Sequence, residues 1–337
     1  MSINPYAEVP VLPSSSQKEV LRDRYILKQA IGRGGMGSIY LADDNRLEGR
    51  LCAVKVVQQD PNLSDELKQQ GRDQFYREAS VLARLDHPNL PKVSDFFSEG
   101  DLDYLVMDFI PGDDLKSLMV RERGQGRFLP LKDILAWADQ LADALNYLHS
   151  QDPPVIHRDI KPSNLKLTAQ GLIKLVDFGL VKQMLPDEMT ITVIQGRGTV
   201  LYTPLEQYGG DTGHTDARSD IYSFGATLYH LATNTAPVEA KERFLRPDSL
   251  IAPRNLNSGI SPEIEAAILW AMALHPDSRP SQVDDFRQTL RGAKYSPSLE
   301  LMTTIQPFFA SLPMSDKFLV GSTAFLTALA LFATFMG

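Results

Sequence analysis

The chain has a single cysteine and no excess of positive charge. Its only cysteine is Cys52, which excludes an intramolecular disulfide and a cysteine-based metal site and fits a reducing compartment. The six histidines are not spaced like metal ligands. The 34 basic and 42 acidic residues give a formal net charge of −8, which argues against a general nucleic-acid binder, so we expect no nucleic-acid partner.

The N-terminus lacks the continuous apolar core of a signal peptide. Residues 1–20 instead hold three prolines and the run Ser14-Ser15-Ser16. Such a composition is typical of an irregular segment. We interpret residues 1–24 as a flexible leader, with a docking role as the alternative.

The last 20 residues, 318–337, lack any charge and are dominated by Leu, Phe and Ala. A bilayer-spanning helix takes roughly 20 such residues. We therefore expect a transmembrane helix here, after a proline-containing linker at 292–317; a buried or partner-binding helix is the alternative. Lys317, with no charge after it, predicts that the preceding domain is cytoplasmic. The expected location is the membrane, through a single-pass C-terminal anchor without an external sensor domain.

The most informative stretch is 155–179, which reads V-I-H-R-D-I-K-P-S-N-L-K-L-T-A-Q-G-L-I-K-L-V-D-F-G. Two short apolar runs, 165–167 and 172–176, flank a turn at Gln170-Gly171. This pattern predicts a small hairpin with a polar cluster at each end.

Three polar side chains, Asp159, Asn164 and Asp177, would meet where the two ends of this hairpin come together. One carboxylate can position an attacking hydroxyl and accept its proton. A second carboxylate and an amide oxygen can hold Mg²⁺, which takes few protein ligands. H-R-D or D-F-G alone would be a weak signal, but H-R-D-x-x-x-x-N followed by D-F-G is specific for phosphoryl transfer.

Glycines 32, 34 and 37 form G-x-G-x-x-G, in which the backbone can approach a phosphate closely. Alone, the motif also fits a dinucleotide site or a plain glycine turn. A dinucleotide motif would open a helix, whereas residues 38–42 read as a strand. We therefore favour a β-hairpin that covers ATP.

A lysine and a glutamate complete the candidate site. Lys55 interrupts the apolar strand 51–57, where a solvated surface lysine is the alternative. Residues 75–85 have helical apolar spacing, and Glu78 lies within them. The alternatives for Glu78 are a solvated charge on the helix face, or replacement in its role by Glu66.

Together these motifs resemble those of the eukaryotic-type serine/threonine protein kinases, and most of all the bacterial members, from about Tyr25 to about Arg291. The resemblance implies an α+β, two-lobed protein kinase fold, with a β-rich N-lobe at 25–110 and a mostly α-helical C-lobe at 111–291. It implies transfer of the ATP γ-phosphate to Ser or Thr hydroxyls of protein substrates, with Mg²⁺ or Mn²⁺. A homodimer would serve trans-autophosphorylation.

The resemblance also assigns roles to single residues. Asp159 would accept the substrate proton, Lys161 would bridge the γ-phosphate and the incoming hydroxyl, and Lys55, paired with Glu78, would orient the phosphates. Asn164 and Asp177 would hold the metal ion. The residues expected at ATP are Ile31, Gly32, Arg33, Gly34, Gly35, Met36, Gly37, Ser38, Ile39, Ala53, Lys55, Asp108 and Ile110.

Residues 180–206 resemble an activation segment. Thr190 and Thr192 are the expected autophosphorylation sites, and Arg158 would pair with the added phosphate; ordinary surface threonines are the alternative. The chain departs from the family where Pro204-Leu205-Glu206 replaces A-P-E. The glutamate and its expected ionic partner, Arg279, are both present.

Two other functions fit parts of the sequence. A membrane-tethered pseudokinase scaffold would use the same fold to bind nucleotide and partners, but no residue needed for catalysis is missing. A small-molecule kinase is a further alternative. Lys161, Thr199 and the Glu206/Arg279 pair favour a protein substrate instead.

Overall fold

The computed structural model describes residues 19–34, 37–58, 64–178, 199–208 and 215–292. The chain divides into one compact unit of residues 1–291 and a second unit of residues 292–337. Within the described ranges, no helix is long and apolar enough to cross a membrane. The expected transmembrane segment, most of the leader, and the expected site residues Gly35, Met36, Thr190 and Thr192 lie outside the described residues.

The N-terminal part of the first unit is a six-stranded antiparallel sheet with one long helix. The strands lie in the order β1-β2-β3-β4-β6-β5. These elements are β1 (Val20–Leu21), β2 (Tyr25–Gly34), β3 (Gly37–Asp44), β4 (Leu51–Gln58), α1 (Asp65–Leu82), β5 (Val93–Glu99) and β6 (Leu102–Asp108).

Helix α1 begins earlier than its apolar spacing indicates. Its first residue is Asp65, because the Ser64 side chain caps the helix by accepting a hydrogen bond from the Leu67 N–H (3.3 Å). Asp65 and Glu66 add negative charge at the positive end of the helix dipole. Only the later turns carry the buried residues Phe75, Ala79 and Leu82, which attach the helix to the core.

The C-terminal part is mostly helical, and its elements surround one helix that is buried along most of its length. From Ser219 to Thr233 every residue of that helix, α4, is buried. The remaining elements are α2 (Leu115–Gly124), α3 (Leu131–His149), β7 (Leu165–Leu167), β8 (Ile173–Leu175), α4 (Ala217–Thr233), α5 (Ala240–Leu245), α6 (Pro253–Leu256), α7 (Pro262–Ala271) and α8 (Val283–Leu290). The predicted two-lobed division into a sheet-rich and a helical part is confirmed.

The predicted hairpin is present. Strands β7 and β8 pair antiparallel, with Leu165 opposite Leu175 and Leu167 opposite Ile173. Leu165, Ile173 and Leu175 are buried, and the hairpin backbone is held by the Asn89 side chain, which donates to the Ile173 carbonyl (2.8 Å). The hairpin therefore fixes the position of the polar residues at its two ends.

Candidate active site

The loop that carries Asp159 is held in place by one buried carboxylate. Arg158 has a left-handed φ of 64°, which a non-glycine residue adopts only when its surroundings enforce it. Asp220 accepts hydrogen bonds from the backbone N–H groups of His157 and Arg158, each at 2.8 Å, and lies 2.9 Å from the His149 Nε2. These bonds fix the loop from helix α4.

The charge on Asp220 is stabilised although its side chain has no exposure to solvent. Burial alone would raise the pKa of the carboxyl, but the hydrogen bond to His149 and the backbone N–H of His157 outweigh it and hold the pKa below its ordinary value. Removal of these donors would leave an uncompensated buried charge.

Asp159 lies within a set of direct hydrogen bonds. Its Oδ2 accepts bonds from the Lys161 Nζ and the Asn164 Nδ2, both at 2.9 Å. Lys161 also donates to the Thr199 Oγ1 (2.9 Å), so one ammonium group links the loop to the segment that follows residue 198. The Asp159 side chain is 10% exposed, which leaves it within reach of a substrate at the surface of the site.

The hairpin brings Asn164 and Asp177 together. Asn164 ends a short 3₁₀ turn before β7, and its carbonyl accepts a bond from the N–H of Val176, the residue before Asp177 (2.8 Å). Asp177 has a left-handed φ of 62°. The next residue, Phe178, is buried and its ring centroid lies 4.8 Å from that of His157. The structure thus places Asp159, Asn164 and Asp177 in one cluster, as the sequence pattern predicts.

In this structure Lys55 has a partner other than the expected Glu78. Its Nζ forms an ion pair with Asp177 and donates to the Phe178 carbonyl (3.2 Å), and in the described part of the chain no ion pair joins it to Glu78. Glu78 accepts a hydrogen bond from Gln74, one turn earlier in α1, at 2.6 Å. Burial raises the pKa of the Glu78 carboxyl, which disfavours the charge that an ion pair needs.

Three of the side chains expected around ATP, those of Ile39, Ala53 and Lys55, share one face of the sheet. Ile39 lies opposite Lys55 across β3 and β4, and Ala53 lies opposite Met107 across β4 and β6. Since side chains alternate along a strand, Ala53 and Lys55 point to the same side, and their cross-strand partners point there as well. Ala53 and Met107 are both buried.

The glycines of the β2–β3 hairpin differ in whether the fold would accept a side chain at their position. Gly37 has φ 149°, and a Cβ there would lie 1.9 Å from the Val56 carbonyl oxygen, so the close approach of β4 alone requires glycine. A Cβ on Gly32 would meet Ile39 at an ordinary 3.5 Å. The described neighbours of position 32 therefore leave room for a Cβ there. Gly34 lies opposite Gly37, and Arg33 opposite Ser38, in the pairing of these strands.

By the resemblance, the backbone of Asp108 and Ile110 would meet the adenine edge of ATP, and these residues lie at and just after the end of β6. Asp108 is the last residue of β6, and its backbone N–H donates to the Lys92 carbonyl (3.0 Å). Ile110 follows two residues later and is half-buried.

Arg158, the expected partner of a phosphate on the activation segment, is itself largely buried. Burial lowers the pKa of its guanidinium, and the nearby carboxylates of Asp220 and Glu78 oppose that effect. The guanidinium therefore lies between the catalytic loop and helix α1.

The expected Glu206–Arg279 ion pair is present and bidentate. The Arg279 Nη1 and Nη2 donate to the two carboxylate oxygens at 2.6 and 2.9 Å, and both side chains are buried. Arg279 also donates to the carbonyls of Ala273, Leu274 and Arg218. The segment after residue 198 is thus fixed to the helical part although Pro204-Leu205 replaces the family's A-P.

Sequence reasoning missed a second anchor of this segment. The Tyr202 hydroxyl lies 2.6 Å from the His230 Nδ1, and the Ser223 hydroxyl donates to the Tyr202 carbonyl (2.8 Å). His230 and Ser223 are seven residues apart on one face of α4, as a helix requires. No short-range spacing links Tyr202 to either residue, so the sequence carried no signal for these contacts.

Comparisons with known proteins agree with this geometry. Residues 25–291 match the family model described as the protein kinase domain. The chain is 36% identical over 278 residues to a probable serine/threonine-protein kinase of Streptomyces coelicolor, a match over 79% of this chain and 39% of that protein. It is 34% identical over 285 residues to the serine/threonine-protein kinase PknB of Mycobacterium leprae, over 80% of this chain and 43% of the relative. The chain thus spans about 40% of the length of such curated relatives.

A solved structure, the apo form of PpkA-294, superposes with a TM-score of 0.67 at 27% identity, covering 82% of this chain and 100% of that one. The kinase domain of PknI from Mycobacterium tuberculosis gives a TM-score of 0.62 at 24% identity, over 83% of this chain and 100% of that one, which shows the shared fold alone. With a family match over residues 25–291, most of its length, and with relatives named as bacterial serine/threonine kinases, the chain belongs to the protein kinase family.

Proposed function

We propose that the protein is an ATP-dependent serine/threonine protein kinase. The single observation that carries the proposal is the cluster of Asp159, Lys161 and Asn164 joined by 2.9 Å hydrogen bonds, with Asp177 brought beside it by the hairpin. Asp159 accepts the proton of the substrate hydroxyl, and Lys161 neutralises charge on the transferred phosphoryl group. Most of the rate enhancement would come from positioning and electrostatics.

The donor set fits a hard divalent cation, Mg²⁺ or Mn²⁺. Asn164 uses its Nδ2 on Asp159, so its amide oxygen is the atom suited to ligate a cation. Asp177 supplies a carboxylate that is 31% exposed. Oxygen ligands of this kind, few in number, are those that Mg²⁺ takes when phosphates and water complete its shell. When bound, the cation would neutralise charge on the phosphates of ATP.

Lys55 would have to change partners during the reaction. A kinase needs the ion pair between this lysine and the helix glutamate, together with a free aspartate for the metal. In the structure Lys55 holds Asp177 instead. Asp177 would then be one of the residues that hold the cation, and Lys55 would contact the phosphates of ATP and Glu78.

The contact between Lys161 and Thr199 supports a protein substrate. It connects the candidate catalytic group to the segment that Glu206 and Arg279 fix to the helical part. A hydroxyl on an extended peptide could approach Asp159 along that segment. A pseudokinase scaffold is the second candidate function. The observation that favours it is the ion pair between Lys55 and Asp177, which engages two residues that catalysis would need for the phosphates and the cation.

Phosphoryl transfer is tested with the purified full chain, Mg²⁺ and labelled ATP. The parent should incorporate label, and Asp159→Asn should lose roughly 10²–10⁴-fold in rate while it still binds ATP, because a general base contributes about that much. Asp86→Asn, at an exposed carboxylate on the surface, is the matched control and should keep the parent rate. ATP binding without any transfer by the parent would favour the scaffold.

We further propose that Thr190 and Thr192 are phosphorylated by a second copy of the chain. The largely buried Arg158 beside the catalytic loop supports this, since a guanidinium pairs well with phosphate. Mass spectrometry should find phosphate at these threonines in the parent and not in Asp159→Asn. Mixing the inactive variant with a tagged active chain should restore it. Full activity of a Thr190→Ala, Thr192→Ala double variant on a peptide substrate would contradict a regulatory role.

We also propose that residues 318–337 anchor the protein in a membrane, with the kinase domain on the cytoplasmic side. The support is 20 residues without a charge directly after Lys317. The full chain should stay with membranes after a carbonate wash. Leu326→Arg with Leu329→Arg should release it, since a central arginine costs roughly 2.5–3.5 kcal/mol on insertion. Equal release of parent and variant would contradict the anchor.

A further inference from the structure

A chain of alternating charges connects the edge of the sheet to the end of β6. At its start the Arg24 Nε and Nη2 donate to the two carboxylate oxygens of Asp44, both at 2.8 Å. The Asp44 side chain has no exposure to solvent. Arg50 continues the series: its Nη1 lies 3.7 Å from the Asp44 carboxylate, and its Nη2 donates to the Asp108 Oδ1 at 3.3 Å. Charges therefore alternate along Arg24, Asp44, Arg50 and Asp108.

The far end of this series is the residue whose backbone is expected at the adenine edge. The second oxygen of Asp108, Oδ2, accepts the Lys92 N–H at 3.2 Å, and the Asp108 N–H donates to the Lys92 carbonyl at 3.0 Å. Bonds on both carboxylate oxygens and on the backbone N–H leave Asp108 little freedom to rotate. These bonds therefore hold the residue from which the chain continues to Ile110.

We propose that Arg50 is a positioning residue for the nucleotide base: by bridging Asp44 and Asp108 it fixes the backbone that receives adenine. This inference rests on the proposed binding of ATP. It assigns to the β3–β4 turn a role that neither the glycine motif nor the catalytic motifs indicate.

Arginine suits this role better than lysine. A planar guanidinium can direct separate N–H groups at two carboxylates, whereas an ammonium group acts as a compact point charge. Asp44 is already neutralised by Arg24, so the charge of Arg50 is directed toward Asp108. Because Asp44 is buried and doubly bonded, it is a fixed point against which Arg50 can hold the end of β6.

The experiment uses calorimetry to measure the dissociation constants of adenosine and of ATP. It compares the full-length parent chain with its Arg50→Gln variant. Adenosine carries no phosphate, so its affinity reports on binding of the base without any electrostatic attraction between Arg50 and phosphate groups. Both ligands should bind roughly three- to fivefold more weakly to the variant, as expected for a partly exposed ion pair. The kcat at saturating ATP should stay at the parent value, and Arg50→Lys should recover part of the affinity.

Arg46→Gln is the matched control, because Arg46 lies on the same turn, is exposed, and reaches Asp44 through its backbone N–H (3.2 Å). It should bind both ligands like the parent. Asp108→Asn removes the Arg50–Asp108 ion pair by changing the acidic partner. If both residues act through one contact, adding Arg50→Gln to it should cause no further loss.

Unchanged adenosine affinity in Arg50→Gln would overturn the inference. If this variant bound only ATP more weakly, Arg50 would act on the phosphates through its charge. Fully additive losses in the double variant would separate Arg50 from Asp108. A parent that binds neither ligand would overturn the proposed function itself, and the inference with it.

Discussion

The two sides of the candidate site are held in different ways. On the helical side, the loop of Asp159 is fixed by the buried Asp220, whose carboxylate accepts bonds from two backbone N–H groups. On the sheet side, Lys55 bonds to Asp177, and Glu78 bonds within its own helix. The groups proposed to act on the substrate hydroxyl are therefore held by contacts of the folded chain itself. Lys55 and Glu78, which are proposed to pair when nucleotide binds, have other partners in this structure.

The comparison also separates buried from exposed ion pairs. Arg279 and Glu206 are 0% and 9% exposed and each has further bonds, whereas Lys28 and Asp43 on the sheet are 44% and 38% exposed. Loss of one partner from a buried pair leaves a charge that water cannot solvate, whereas exposed pairs contribute little to stability. Loss of one partner from the buried pair should therefore cost more stability than loss of one partner from the exposed pair.

Glu206→Gln should have the largest effect on stability. It keeps the shape of the side chain and removes its charge, so we expect the free energy of unfolding to fall by roughly 3 kcal/mol or more. Asp43→Asn, at the exposed pair, should cost at most about 1 kcal/mol. Urea unfolding of both variants measures this. Equal small losses would break the distinction between the two sides.

The cost of Glu206→Gln should also depend on pH in a defined direction. Burial opposes ionisation of Glu206, but its bonds to Arg279 hold its pKa below the ordinary 4.5. A carboxyl whose pKa is lower in the folded than in the unfolded state stabilises fully above the unfolded value, and this contribution is lost as pH falls. The deficit of the variant should therefore be constant above pH 4.5 and shrink below it.

His230 provides a smaller effect with a different pH range. Burial, with the nearby Lys116 and Arg123, lowers its pKa from 6.5 to about 4. Between these values the unfolded chain binds a proton that the folded chain does not, so stability is lost as pH falls. The difference corresponds to roughly 3 kcal/mol. His230→Gln should remove this part of the pH dependence of unfolding.

Tyr202→Phe is the matched comparison for His230→Gln. It removes the hydroxyl that bonds to the His230 Nδ1 and leaves the ring buried. We expect a loss of about 1 kcal/mol at pH 7, the usual net value of one hydrogen bond, with the slope between pH 6.5 and 4 retained. A flat slope in this variant would show that the tyrosine, and not burial, controls the proton affinity of the histidine.

The sequence predicted those parts of the molecule in which structure follows from local pattern. The β7–β8 hairpin and the cluster of Asp159, Asn164 and Asp177 were both accessible, since each depends on residues close in the chain. The Glu206–Arg279 pair, 73 residues apart, was accessible only through the resemblance to a family.

The remaining features depend on which conformation the folded chain adopts. The pairing of Lys55 with Asp177, 122 residues away, is a long-range contact that no local sequence pattern predicts. The start of α1 at Asp65 is a different case: the signal, Ser64 followed by Asp65 and Glu66, was present, but the apolar spacing used to find the helix begins only at Phe75.

Glu78→Gln tests the sheet side with the smallest effect on stability. Burial raises the pKa of Glu78, so the folded chain favours its neutral form, and stability is lost as pH rises through that pKa. At pH 7 the uncharged variant should therefore unfold no more readily than the parent, while its rate of phosphoryl transfer falls because Lys55 loses its proposed partner. Glu66→Gln, exposed in the first turn of the same helix, should keep the parent rate. A less stable Glu78→Gln would mean that this charge already holds the sheet side together before nucleotide binds, and the contrast between the two sides would fail.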